Sequence, residues 1–211
     1  MCRNAEITAP VHLFLRDKKG WRSRSPRAPA GVSGWRNQSS QADLDLTERG
    51  REMELNVDIF SVLDKGWALL TAGDSMAHFN TMTVSWGMMG TFWGKPAATV
   101  YVRDSRYTLE FMKDSQYFTL TMFDEDKKPD LGILGSKSGR DGNKIAETSL
   151  HAKKLEHGVG FEEAKVTLIL KKIYMQRMDM NAMPKEILDQ IYPNGDDHNM
   201  FIGEVVDIIR R

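Results

Sequence analysis

Hydrophobic and polar positions alternate in short runs along most of this chain, and long helical stripes are rare. "WALLTAGD" and "HFNTMTVSWGM" read as two strands separated by the turn residues Gly73 and Asp74. "PAATVYVR" is a third, β-branched and aromatic, entered through Lys95-Pro96 at a sheet edge. "QYFTLTMF", "AKVTLILKKIYMQRM" and "NMFIGEVVDIIRR" supply three more. Helical spacing predicts a short helix over "DIFSVLDKG", with Ile59, Phe60 and Leu63 on one side and Gly66 as the stop. A second helix is predicted over "SRYTLEFMKD", carrying Leu109, Phe111 and Met112, with Ser105 as its N-cap. "KPDLGILGSKSGRDGNKIAE" reads as a helix, a Gly/Ser loop and a further helical turn. In "KVTLIL" and "GEVVDII" nearly every residue is apolar, which predicts burial on both faces. Antiparallel strands, few short helices and no β-α-β rhythm point to a mainly β chain built as a small closed barrel.

The first fifty residues break this pattern. "GWRSRSPRAPAGVSGWRNQSSQ" is rich in Gly, Pro, Ser and Arg, without a sustained period, and is expected to be disordered. A compact domain is expected to start at Met53, leaving residues 1–52 as a basic N-terminal extension. The formal net charge of +0 conceals this division. Residues 1–40 hold eight basic and two acidic groups, 8 − 2 = +6, so the remainder sums to −6. An acidic remainder argues against nucleic acid as the main partner. No apolar run reaches the roughly 20 residues of a membrane span, and Cys2 is the single cysteine, which excludes an intramolecular disulfide. A cytoplasmic protein is the simplest expectation.

Several chemistries lack their residues. The five histidines show no H-E-x-x-H or paired metal spacing, so no metal site is expected. No G-x-S-x-G elbow is present, no G-x-G-x-x-G follows a strand, and "GSKSGR" lacks the Walker spacing. What remains is "NTMTVSWG" and the segment after it. On a strand, Thr81, Thr83 and Ser85 share one face while Met82, Val84 and Trp86 share the other. Such a wall suits a polar pocket, and equally an exposed Thr/Ser face. Arg103 and Arg106 stand three residues apart where a strand gives way to a helix, a place for an anion or for a solvated pair of arginines.

Five co-linear segments, "NTMTVSWG", "GKPAATVYVRDSRYT", "YFTLTMF", "LGSKSGRDGNKIAET" and "DDHNMFIGEVV", resemble the flavin reductase-like family, from about Met53 to the C-terminus. Its flavoredoxin-type members have an FMN-binding split barrel. The resemblance implies a six-stranded antiparallel Greek-key split barrel over residues 53–211 and a homodimer with FMN near the interface. It implies an oxidoreductase that takes electrons from NADH or NADPH and gives them to a small-molecule or protein acceptor. An electron carrier without nicotinamide turnover, or a barrel holding another ligand, are the alternatives. Neither nucleic acid nor membrane is implied. By the same resemblance, Asn80, Thr81, Met82, Thr83, Ser85 and Trp86 are ring-side candidates. Arg103, Arg106, Tyr107 and Thr108 are phosphate-side candidates, and Ser136, Ser138, Gly139 and Lys144 belong to a loop that closes over phosphate or ribityl. His198 matches a family histidine near flavin or nicotinamide. It is expected to be a turn residue hydrogen-bonded to Asp196 or Asp197, which would favour its protonated form.

Overall fold

Two residues decide the shape of this sheet. The computed structural model describes residues 14–17, 20–23 and 54–211. The chain divides into two units, Met1–Leu44 and Asp45–Arg211. In the first, β1 (Phe14–Asp17) and β2 (Gly20–Ser23) pair antiparallel, where sequence reading assigns no element. The rest of the expectation for residues 1–52 lies outside the described residues. In the second unit, β3 (Ala68–Ser75), β4 (His78–Val84), β5 (Gly87–Phe92), β6 (Lys95–Arg103), β7 (Tyr117–Met122), β10 (Val166–Arg177) and β11 (His198–Arg210) form one antiparallel sheet. Its order is β4-β3-β7-β10-β11-β6-β5. A small separate hairpin joins β8 (Ala152–Lys154) to β9 (Val159–Phe161).

The outermost strands of that order, β4 and β5, are consecutive in the chain and linked by Ser85 and Trp86 alone. Laid flat, seven strands would span six gaps of about 4.8 Å, roughly 29 Å in all. From Val84 to Gly87 the chain has three Cα steps, which reach about 11 Å at most. The sheet must therefore roll until its edges meet, giving a barrel that stays split where β4 turns into β5. Its interior confirms the closure. Met82 and Val84 from one edge share a single buried cluster with Val100 and Val102 beside the other edge, and with Phe118, Leu120, Leu170 and Phe201 from between. The fold is thus mainly β, as expected. There are seven strands in the sheet rather than six, because "HFNTMTVSWGM" breaks at Ser85-Trp86 to change edges.

Among the described residues the α-helices are brief: α1 (Thr108–Asp114), α2 (Lys128–Ser136) and α3 (Lys185–Ile191). The helix expected over "DIFSVLDKG" is instead a run of turns, with Val62 N–H bonded to Asp58 O at 2.9 Å and Trp67 N–H to Leu63 O at 3.0 Å. The Asp58 carboxylate takes up Phe60 N–H and the Ser61 hydroxyl, so local side-chain bonds compete with helix propagation. Double-faced burial holds over Thr167–Leu170 of β10, but in β11 Val206 and Asp207 are exposed. On the outer face, α2 lies over Leu69, with Leu131, Leu134, Leu150 and Phe161 forming a second cluster.

One glycine is fixed by the core. A Cβ on Gly203 would lie 2.7 Å from both Leu170 Cβ and Phe118 Cζ. Replacing Gly203 by Ala is expected to destabilise the protein by about 1–3 kcal/mol through overpacking. Urea unfolding checks this, the midpoint falling while the slope stays unchanged.

Candidate functional site

At the split of the barrel lies a cavity of about 220 Å³, walled by Thr83, Ser85, Trp86, Tyr101, Arg103 and His198 among others. The chain's change of edge puts Ser85 and Trp86 there, and β11 begins with His198 directly opposite Arg103 of β6. Trp86 is 45% exposed, its ring 5.3 Å from that of His198. A tryptophan held half in water beside a buried histidine offers an aromatic surface to the cavity.

A second cavity of about 100 Å³ adjoins the first, sharing Met82 and Arg106 with it. Its walls come from β4, from the approach to α1, and from the loop after α2, including Asn80, Tyr107, Thr108, Ser138, Gly139 and Lys144. Asn80 Nδ2 donates to Thr108 Oγ1 at 2.8 Å and ties β4 to α1. Gly139 sits against that pair: a Cβ there would come within 2.2 Å of Asn80 Oδ1 and 3.2 Å of Tyr107 Cδ1. Lys144 is 6% exposed and donates to Leu134 O at 2.8 Å and Lys137 O at 2.9 Å. Burial, with the Arg106 guanidinium nearby, pushes its ammonium down to about 8. The other loop cations are neutralised, Lys137 by Glu147 and Arg140 by Glu110. Among the described residues no carboxylate pairs with Lys144 or Arg106, whose guanidinium donates to Gly135 O at 3.1 Å. Of these two cations lining the small polar cavity, Arg106 is exposed and Lys144 is buried, and a buried charge without a counter-charge is costly. The cavity extends to the loop, where Ser138 Oγ accepts from Arg140 N–H at 3.2 Å.

Thirteen of the fourteen cofactor candidates line one or both cavities, and Thr81 lines neither. Thr81 is fully buried, with its hydroxyl bonded to Thr71 Oγ1 at 2.9 Å and Leu70 O at 3.2 Å. Thr83 borders the first cavity, yet its hydroxyl donates to Leu131 O at 2.5 Å. The expected hydroxyl face of β4 therefore packs largely against β3 and α2. Arg103 stands apart from the small anion cavity. Its guanidinium donates to Asp196 O and Ile191 O, each at 3.2 Å, and lies over the Tyr192 ring. Ser105 caps no helix: its N–H and hydroxyl both bond to the Asp196 carboxylate, and α1 starts at Thr108 without a side-chain cap. Side chains, not the seven-residue α1, supply the charge here. Ser136 lines the cavity but turns its hydroxyl to Gly132 O and Ile133 O.

His198 departs from expectation in partner and charge. Tyr192, beyond α3, places its hydroxyl 2.7 Å from His198 Nδ1, and neither Asp196 nor Asp197 bonds to the ring. Burial, then the Arg103 guanidinium, pushes the imidazole down to about 4, outweighing the opposing pull of Asp196. Burial also pushes the Tyr192 phenol up. Both partners are neutral near pH 7. Tyr192 carries no sequence signal for this role, since the contact depends on how the α3 connection folds back.

The imidazole has a stability consequence. Its folded pKa of about 4 lies below the ordinary 6.5, so between those values the unfolded chain binds more protons and stability falls as pH falls. Unfolding free energy measured from pH 7 to pH 4 should decline more steeply for the native chain than for His198→Gln.

Comparison with known proteins agrees with this geometry. The flavin reductase like domain family matches residues 60–211. Three solved structures share the fold. An FMN-binding domain of a flavin reductases-like enzyme from Shewanella baltica OS155 has 21% identity and TM-score 0.51, with 71% of each chain covered. Flavoredoxin from Methanosarcina acetivorans has 17% identity and TM-score 0.53 over 75% of each chain. A protein with a split barrel domain from Shewanella frigidimarina NCIMB 400 has 15% identity and TM-score 0.56 over 78% of each. None of the curated proteins compared with this chain matches it. Among the described residues no helix is long and apolar enough to cross a membrane. With a split barrel, an aromatic cleft at its seam and a match over residues 60–211, this chain belongs to the flavin reductase-like domain family.

Proposed function

We propose that this chain is an FMN-binding oxidoreductase that passes electrons from NADH or NADPH through the flavin to an acceptor. The observation that carries the reading is the junction of the two cavities, an aromatic cleft joined at Met82 and Arg106 to a small pocket with an unneutralised cation. The pocket suits a phosphate by its donors, Lys144, Arg106 and the Ser138 hydroxyl, with Gly139 packed so closely on Asn80 that a side chain there would push the wall apart. When bound there, FMN supplies reversible hydride and electron chemistry that no side chain of this site provides.

The protein's own residues hold, orient and exclude. Lys144 and Arg106 bind the phosphate oxygens. Trp86 and Met82 cover apolar ring surface and keep water from it. The Tyr192 phenol, neutral and the better donor, gives its proton to the hydrogen bond with His198 Nδ1. That fixes the imidazole proton on Nε2, so His198 serves the cleft as an uncharged donor. Arg103 keeps the Tyr192 segment in place through Ile191 O and Asp196 O.

A homodimer is part of the proposal. Leu55, Val57, Met89, Val205 and Ile208 border an apolar hollow of about 210 Å³. Ile59 on its rim and Phe60 next in the chain are 44% and 91% exposed. An apolar surface of this kind on a single chain suits a second copy.

Two measurements test the reading. An anion at Lys144 should raise its pKa from about 8, so FMN affinity should be full below that value and fall as pH rises above it. Riboflavin, lacking the phosphate, should show no such decline in fluorescence titrations between pH 7 and 10. The second is the visible spectrum of the protein loaded with FMN under anaerobic conditions. NADH or NADPH should bleach the flavin bands; bleaching by dithionite alone would make the protein a carrier, and no retained flavin would overturn both readings.

A further inference from the structure

Three hydroxyls stand in the wall of the seam cavity, those of Thr83, Ser85 and Tyr101. Thr83 donates its own to Leu131 O. Among the described residues the other two have no hydrogen-bond partner. Ser85 lies at the crossing between the two edges, outside any strand. Tyr101 lies within β6, opposite Met200 of β11, and Arg103 two residues on is opposite His198. Val100 and Val102 turn into the core, so Tyr101 and Arg103 share the other face, which borders the cavity. Tyr101 has no part in the anion pocket or in the bond between Tyr192 and His198.

The neighbouring donors are engaged. Arg103 donates to Asp196 O and Ile191 O, and His198 Nδ1 is taken by the Tyr192 hydroxyl. Burial, then the Tyr192 phenol nearby, pushes the Tyr101 phenol up, so it keeps its proton at neutral pH and well above. A half-buried neutral donor, fixed on a paired strand and without a partner in the protein, is free to meet a ligand. The cavity of about 220 Å³ is smaller than the about 300–1,000 Å³ of sites that enclose a whole small molecule. It suits one ring system whose tail lies elsewhere. A residue of its wall therefore meets the flavin itself.

We propose that Tyr101 donates a hydrogen bond to the C2 carbonyl of the flavin and so raises the reduction potential of the bound cofactor. This rests on the flavin reading above and assigns the tuning of its potential to one residue. The isoalloxazine has an apolar benzenoid edge and a pyrimidine edge with two carbonyls. Reduction by two electrons gathers negative charge at N1 and the C2 oxygen, and a donor fixed there holds the reduced ring more tightly than the oxidised one. The phenol keeps its proton throughout, so no covalent bond forms or breaks at Tyr101.

The test is an anaerobic redox titration of the full chain loaded with FMN, native and Tyr101→Phe, with affinity for oxidised FMN read by fluorescence. In Tyr101→Phe the ratio of oxidised to reduced dissociation constants should fall about tenfold, the scale of one hydrogen bond to a charged oxygen. For a two-electron couple that lowers the midpoint potential by about 30 mV. Affinity for oxidised FMN should change less. Urea unfolding of the flavin-free chain should be unchanged, because the hydroxyl has no partner among the described residues. If Tyr101→Phe does not fold, 2-thio-FMN on the native chain gives a second reading. Its sulfur accepts weakly, so its potential should rise less on binding than that of FMN. An unchanged potential with FMN bound, or equal rises for the two flavins, overturns the role of Tyr101 and leaves the flavin reading intact. Equal weakening of oxidised and reduced FMN, or a lower urea midpoint, makes the residue structural and overturns it too. If the native chain retains no flavin, both readings fall.

Discussion

The ladder between β10 and β11 is the interaction on which the rest of the molecule hangs. It runs from Val166 opposite Arg210 to Arg177 opposite Asn199, with β7 on one flank and β6 on the other. Because each neighbour is registered to it, a shift of one residue would exchange the core and outer faces of every strand. Leu168 and Leu170 point to the barrel core together with Phe118 and Phe201, and that set cannot be exchanged for Thr167 and Ile169 without losing the cluster. The same ladder ends at the site. Met178 N–H bonds to His198 O at 2.9 Å and Asp104 N–H to Asp197 O at 2.9 Å. His198 is therefore set by backbone pairing on both sides before its side chain makes any contact.

On this rigid frame the site holds unfavourable electrostatics. Lys144 and His198 are both displaced toward their neutral forms, first by burial and then by arginine. The exposed Arg106 guanidinium acts on both; Asp196 and Asp104 oppose it at His198, whereas no carboxylate does so at Lys144. For His198 the outcome is a neutral ring, as its pKa falls well below 7. For Lys144 it is a charge that persists at neutral pH at the expense of stability. Such a residue is tolerated when a bound anion returns the cost, because a ligand of the native state alone stabilises it by mass action. The carbonyls of Leu134 in α2 and of Lys137 just after it give Lys144 direction but no neutralising charge.

Sequence reading recovered the strands because their signal is local. Alternation and β-branched residues mark β3, β6, β7, β10 and β11 clearly. It joined β4 to β5, since nothing in "TVSWGM" reveals that the chain changes edges of a rolled sheet. The β8–β9 hairpin and α3 carry too few periodic residues to stand out. Among site residues, the loop after α2 was legible through its glycines, hydroxyls and lysines. The roles of individual side chains were less so. Arg103 and Arg106 look equivalent three residues apart, yet one faces the seam and the 191–196 segment while the other faces the α2 loop. Thr81 looks like its neighbours on alternation, but β3 covers it. The charge of His198 was misjudged from nearby aspartates because burial depth and the Arg103 contact are properties of the fold, not of the local sequence.

These differences follow one rule. The frame provides positions that alternate strictly, while the chemistry is supplied where the chain leaves the frame: at the Ser85-Trp86 crossing, at Arg103–Thr108 between β6 and α1, in the loop closed by Lys144, and in the segment ending at Tyr192. Loops held at their ends by strands keep freedom in length and composition without disturbing the core. In this chain the loop after α2 contributes Gly139 and Lys144 to both the anion pocket and a larger cavity beside it. A change confined to that loop would reshape those cavities, and the seam with Trp86 and His198 would be left as it is. The anion-pocket loop and the seam are thus separate segments of one barrel, with Arg106 bordering both cavities.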